Sequence, residues 1–352
     1  MSPIHDAIRA RAASTLERPV KFVISRPQAR GVRRPGRVLR ASFAAVLGAL
    51  LLGVWTPLSL PVDVRVERSA RSRNFSNELQ RAVTRSMQGR AGAALVLDVD
   101  SGRVLAHYRL EAAARTLARP GSAVKPFTLL ALIESGRVAI EQPVRCARRL
   151  RLGSQRLDCT HPADSRPLAA RDALAYSCNS YFAQLARALD DSELARAFEH
   201  AGLTAVSGLV EGEAAGRVRL PRSLEQRQLL ALGQANVEVT PLGIAAAYRK
   251  LAQARKRPER DARRAPVFDG LEDSVRFGMA RLARAPGIIV AGKTGTASSQ
   301  SGYTHAWFAG YAPAAAPEIV LVVFFEQGRG GPDAAPVAGE IFAAYAAARG
   351  LQ

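Results

Sequence analysis

The stretch GIIVAGKTGTA, Gly287 to Ala297, satisfies the phosphate-loop pattern G-x-x-x-x-G-K-[ST] as far as Thr294. A phosphate loop wraps its ligand in consecutive backbone N–H groups of small, flexible residues and then opens a helix. Here the loop positions include Ile288, Ile289 and Val290, whose branched side chains are stiff and favour an extended chain. The GTASSQSG that follows, residues 295–302, carries no apolar helical period. The match is formal, and the stretch reads as a strand that holds Lys293 between glycines.

Its neighbours extend that reading. THAWFAGYAP and EIVLVVFFEQ are two more strands after short turns, and APVAGEIFAAYAAAR, Ala335 to Arg349, closes as a helix. Near the other end, GAALVLDVDSGRVLAHYRL, Gly92 to Leu110, alternates apolar and polar residues around a D-S-G turn, a β-hairpin signal. Between them lie helical patterns at Ser122–Ser135, Asn179–Leu189 and Pro241–Gln253. Strands at both ends with helices between predict an α+β fold: an antiparallel sheet built from N- and C-terminal strands, with helices around it and an inserted helical region. The polar KRPERDARRAP, Lys256 to Pro266, reads as a connection.

The chain has 352 residues with 50 basic and 30 acidic side chains. Of the net charge of +20, residues 1–40 carry +8, from ten basic and two acidic residues. The remainder is spread thinly, without a basic helix or aromatic-interleaved strand, so no nucleic-acid partner is expected. From Ala41 to Val62 the chain runs 22 residues without a charge, beginning ASFAAVLGALLLGVW. That is long enough to span a bilayer. Arg33, Arg34, Arg37 and Arg40 before it place residues 1–40 in the cytoplasm and the rest outside. The expected organisation is a basic segment 1–40, a single transmembrane anchor 41–62, a linker 63–88 and a domain 89–352. A cleaved signal peptide is the competing reading, but no small-x-small site follows the apolar core.

Cys146 and Cys159 can pair as a loop staple, leaving Cys178 free. C-T-H at Cys159 to His161 offers two zinc donors, but no fourth ligand is evident, so neither metal nor cofactor is expected.

Three short motifs carry chemistry. In PGSAVKPF, Ser122 and Lys125 stand at i and i+3 at a helix start, where a neutral lysine can take the hydroxyl proton. Pro126 has no N–H, so the Ser122 carbonyl lacks its helical partner. YSCNSYF supplies Ser177, which can pass a proton, and Asn179, which can hold a peptide group. KTGT reads as a carboxylate receptor, a lysine with the hydroxyls of Thr294 and Thr296 on one side of a strand, Gly295 letting a substrate backbone lie flat. Only five of the 50 basic residues are lysine, and two of them, Lys125 and Lys293, fall in these motifs. Arginine cannot release its proton, so a position that must alternate between ammonium and amine cannot use it.

In this order, S-x-x-K, S-x-N and K-T-G resemble the motif set of the penicillin-binding proteins and their serine β-lactamase relatives. ALAYSCNSYFAQLA, ALGQANVEVTPLGIAAAY and THAWFAGYAP are similar to transpeptidase-domain sequence, so the resemblance covers roughly residues 90–349 with gaps. It implies that Ser122 is the acylated nucleophile and Lys125 its base. Ser177 would relay the proton, Asn179 hold the substrate amide and Lys293 support the relay, while Thr294 and Thr296 bind the terminal carboxylate. Backbone N–H groups of Ser122 and Thr296 would form the oxyanion hole. The implied activity is that of a D,D-transpeptidase on D-Ala-D-Ala peptidoglycan stems, also binding β-lactams, in a cell-wall complex at the periplasmic face of the inner membrane. D,D-carboxypeptidase and a β-lactam sensor or non-catalytic scaffold are the alternatives; a hydrolytic β-lactamase would need a Glu to activate water, and none is assigned. Against the family, neither the large pedestal between anchor and nucleophile nor a glycosyltransferase domain is expected, and Leu110–Ala118 is a short connection.

Overall fold

The computed structural model describes residues 64–162, 166–257, 261–299 and 302–351, with side chains from residue 74. The expected anchor lies outside them, and among the described residues no helix is long and apolar enough to cross a membrane.

The described residues open with helix α1 (Val64–Met87), the hairpin β1 (Gly92–Asp98) and β2 (Val104–Tyr108), and a short helix α2 (Leu110–Arg115). The middle comprises α3 (Lys125–Ser135), the small hairpin β3 (Arg151–Leu152) and β4 (Gln155–Arg156), α4 (Ala170–Ala175), α5 (Asn179–Leu185) and α6 (Asp191–Ala201). There follow the short strand β5 (Arg217–Val218), α7 (Leu224–Ala231), β6 (Val237–Glu238), α8 (Pro241–Lys256) and α9 (Ala265–Arg276). Three strands, β7 (Ala291–Ser298), β8 (Thr304–Ala312) and β9 (Ile319–Phe325), lead to α10 (Ala335–Ala348).

The principal sheet has the order β2-β1-β9-β8-β7, antiparallel throughout, so the N-terminal hairpin pairs with the last strand. This is the expected mix of helices around a sheet made from both ends. The unbroken apolar run IVLVVFF follows from burial on both faces. Val320, Val322 and Phe324 join the core shared with Phe127 and Tyr248, whereas Leu321 and Val323 join that of Leu79, Val83 and Phe342. β7 lies at the sheet's end, and among the described residues no strand pairs with its outer edge.

Several expectations need correction. The supposed linker forms α1, whose Leu79, Val83 and Met87 are buried at four-residue spacing, with Phe75 edge-on to Tyr345 of α10. The connection after β2 contains α2, and α9 begins at Ala265, within the last residues of the polar KRPERDARRAP. GIIV is a turn with Gly287 at φ 70°, and the strand begins only at Ala291, leaving Ile289 62% exposed.

Candidate active site

Ser122 does not begin an α-helix. It lies in a 3-10 turn, Gly121–Val124, that runs into α3 at Lys125. The tighter turn resolves the proline problem, because the Lys125 backbone N–H reaches the Ser122 carbonyl and Pro126 follows in the first turn of α3. Three contacts hold this loop: Trp307 Nε1 donates to Arg119 O (2.9 Å), the Gly121 N–H to Gly233 O (3.0 Å) and the buried Tyr248 hydroxyl to Ala123 O (2.8 Å). Gly121 has φ 53°, and a Cβ on it would stand 2.4 Å from the Thr296 carbonyl oxygen. Only glycine lets the nucleophile turn sit this close to β7.

Lys125 is fully buried, and its ammonium has three acceptors: Asn179 Oδ1 (2.6 Å), Ser177 O (2.8 Å) and Ser177 Oγ (3.3 Å). Ser122 Oγ is not among them. The Phe182 ring lies 5.1 Å from Nζ and adds a cation–π contact. Burial pushes the Lys125 ammonium down to about 8, opposed by the Cys178 and Cys159 thiols. The lysine thus ties S-x-x-K to S-x-N. Ser177 takes a left-handed conformation, φ 54°, the kind of strain that functional turns hold. The Asn179 amide is already engaged, its Nδ2 donating to Leu157 O (2.9 Å), so one N–H remains for a substrate.

The third motif differs from its expected form. β7 pairs with β8 without a bulge, so alternation puts Lys293 and Gly295 on one face and Thr294 and Thr296 on the other. The lysine and two hydroxyls therefore do not share a side. Lys293 is fully buried and donates to the Thr294 carbonyl (3.0 Å); burial and then the Lys125 charge hold it well below the ordinary lysine range. Gly295 faces the nucleophile turn, where a Cβ would meet Pro120 O at 2.4 Å, so its closeness serves that turn. Thr296 is held by Gln234, whose Nε2 donates to its carbonyl (2.9 Å), and by the Gly330 N–H, which donates to its hydroxyl oxygen (3.0 Å). Its hydroxyl proton stays available. Ser122, Ser177, Asn179, Thr294, Gly295 and Thr296 all line one cleft of about 440 Å³, beside Gln234 and Arg329.

The structure also unites residues the sequence left apart. Cys146, Cys159 and Cys178 are all free thiols, so the Cys146–Cys159 staple is not formed, and they converge with His161. Tyr248, Trp307, Gln234 and Leu157 were given no role in the sequence because each acts through one hydrogen bond across the fold; the first three lie in the segments that resemble transpeptidase sequence, and nothing marks Leu157.

A serine on a turn, a buried lysine three residues on that bonds a second hydroxyl, and an edge strand across the cleft fit the serine D,D-peptidase class of enzyme. The chain belongs to the penicillin binding protein transpeptidase domain family, whose profile matches residues 92–344. It is similar to the peptidoglycan D,D-transpeptidase MrdA of Acinetobacter baumannii, with 35% identity over 89 residues; the match spans 21% of this chain and only 13% of that protein. Among solved structures, Pseudomonas aeruginosa PBP2 aligns over 76% of this chain and 74% of its own, with TM-score 0.67 and 24% identity. The transpeptidase domain of Burkholderia pseudomallei penicillin-binding protein 3 aligns over 80% and 93%, with the same TM-score and identity. At that identity the likeness concerns the fold.

Proposed function

We propose that this protein is a membrane-anchored D,D-transpeptidase that joins D-Ala-D-Ala-ended peptidoglycan stem peptides through an acyl-serine intermediate. The observation that carries the reading is Lys125, fully buried and hydrogen-bonded to Ser177 and Asn179 three residues after Ser122. A donor peptide lies extended along the open edge of β7, its terminal carboxylate held by the Thr294 and Thr296 hydroxyls. Ser122 Oγ attacks the penultimate D-Ala carbonyl while neutral Lys125 takes its proton. The oxyanion accepts from the backbone N–H groups of Ser122 and Thr296. The proton passes through Ser177 to the departing D-Ala amine, leaving the ester on Ser122. An amine of a second stem then attacks that ester and restores the serine; with water as acceptor the same site is a D,D-carboxypeptidase. Buried Lys293, which itself feels the Lys125 charge, supports the relay electrostatically. Residues 41–62 anchor the domain at the outer face of the inner membrane, alongside cell-wall assembly partners.

The test is incubation with a fluorescent penicillin followed by intact-mass peptide mapping. One adduct, on Ser122 and lost in Ser122→Ala, is expected. Label that persists in that variant, or maps to Ser177, rejects the assigned nucleophile.

A further inference from the structure

Cys178 sits inside the S-x-N motif, between Ser177 and Asn179, yet its side chain turns into the protein and is only 1% exposed. There it meets two distant segments. The sulfurs of Cys146, Cys159 and Cys178 and a ring nitrogen of His161 all lie within 4.8 Å of one another. Cys159 Sγ and Cys178 Sγ are 3.8 Å apart. Two sulfurs on a tetrahedral ion at Zn–S of about 2.3 Å stand about 3.8 Å apart, so the spacing already suits a metal.

The surroundings are those of ligands. His161 is 3% exposed, and its Nδ1 lies 2.9 Å from the Pro162 carbonyl, which places the ring proton there. Nε2 is left as a buried lone pair with no hydrogen-bond partner among the described residues. A ring whose far nitrogen is tied to a carbonyl while the other stays free is the usual posture of a metal-bound histidine. Backbone N–H groups point at two of the sulfurs, Arg148 N to Cys146 Sγ (3.3 Å) and Ser180 N to Cys159 Sγ (3.5 Å), and such donors favour thiolate. Arg148 takes φ 61° to do so, and its guanidinium donates to the His161 carbonyl (2.7 Å).

We propose that Cys146, Cys159, His161 and Cys178 bind one zinc ion in a closed, structural Cys3His site that fixes the S-x-N turn. Three thiolates and an imidazole suit zinc among the common divalent ions, and four protein ligands leave no open position for chemistry. Binding releases the thiol protons to solvent, and three thiolates on one divalent ion leave a single net negative charge beside Arg148. The ion would join the loop at Cys146, the segment after β4 and the entrance of α5. Asn179 and Leu157, which bond each other, flank two of the ligands, so the site holds the partners of Lys125 in place. The inference stands on the cysteines and histidine alone and does not depend on the acyl-transfer reading.

The full chain, purified in detergent with reductant and dialysed against zinc and then against metal-free buffer, is assayed by inductively coupled plasma mass spectrometry. About one zinc per chain is expected. Cobalt in its place should give the thiolate charge-transfer absorption and intense visible bands of a tetrahedral site. Cys146→Ser and His161→Ala should each weaken zinc binding beyond the tenfold to hundredfold that outer-shell losses cost. If either variant fails to fold, the cobalt spectrum of the parent decides. Well under one zinc per folded chain, a weak octahedral cobalt spectrum, or a mass two hydrogens lighter with Cys159 and Cys178 linked overturns the proposal.

Discussion

Lys125 Nζ stands 2.6 Å from Asn179 Oδ1, and no carboxylate serves it among its three acceptors. An amide, a carbonyl and a hydroxyl can accept from an ammonium without fixing its charge. Asn179→Asp would supply an opposite charge in contact, which favours the protonated lysine. The variant should need a pH at least about one unit higher than the parent to reach half its maximal acylation rate. A pH–rate profile with fluorescent penicillin reads this; superimposable profiles would separate Asn179 from control of the lysine.

The parent's own profile has a fixed sign. A base must be neutral to accept the Ser122 proton, and Lys125 releases its proton at about 8. At pH 7 about a tenth of the molecules hold the neutral amine. Acylation should therefore rise about tenfold from pH 6 to 7 and about fivefold from 7 to 8, and level off above that. A rate that is flat from pH 6 to 8 would remove Lys125 from the role.

Tyr248→Phe removes a buried donor from the Ala123 carbonyl and leaves that oxygen unpaired behind the nucleophile turn. The loss should cost about 1–3 kcal/mol of stability. Because the oxygen belongs to the turn, acylation should slow as well. Thr128→Val, in α3 beyond the turn, unpairs the Ala231 carbonyl at the end of α7 and gives the comparison. Equal melting losses with equal rates would show that the turn does not need the tyrosine.

Much of this was legible beforehand. The strands and the helices α3, α8 and α10 announced themselves by alternation or helical spacing, and the motif order named the chemistry. What failed was context. α1 looked like a linker because charge dominates its start, although Leu79, Val83 and Met87 carry the spacing of a buried stripe. α9 hid behind a run of arginines, with Val267, Phe268, Leu271 and Val275 buried beyond it. The KTGT reading set the lysine beside both hydroxyls, against the two-residue period of a strand. The cysteine and histidine cluster draws on three segments whose meeting depends on the whole insert, which no local spacing reports.

No phosphate loop exists at GIIVAGKT. Lys293 is buried within β7, the strand runs on to Ser298, and no helix begins there. Purified protein should show no magnesium-dependent ATP binding at micromolar nucleotide. Binding lost in Lys293→Ala, with the variant melting like the parent, would contradict the strand.

The two lysines should respond differently to arginine. Lys125 must give up its proton to act, and arginine keeps its charge at every accessible pH. Lys125→Arg should therefore lose general-base catalysis, worth about a hundredfold to ten-thousandfold. Lys293 is not asked to accept that proton, so Lys293→Arg should retain more of the acylation rate. Its site is nevertheless closed, fully buried with the Thr294 carbonyl as acceptor, and a bulkier permanent cation there would face Lys125. Like charge disfavours a second ammonium, so in Lys293→Arg the acylation profile of Lys125 should move to lower pH. Second-order acylation rates across pH 6–9, on variants whose melting is measured first, give both quantities. Should Lys125→Arg acylate as fast as Lys293→Arg, Lys125 is not the base, and the proton must leave Ser122 by another route, with Ser177 in the same cleft as the hydroxyl to receive it.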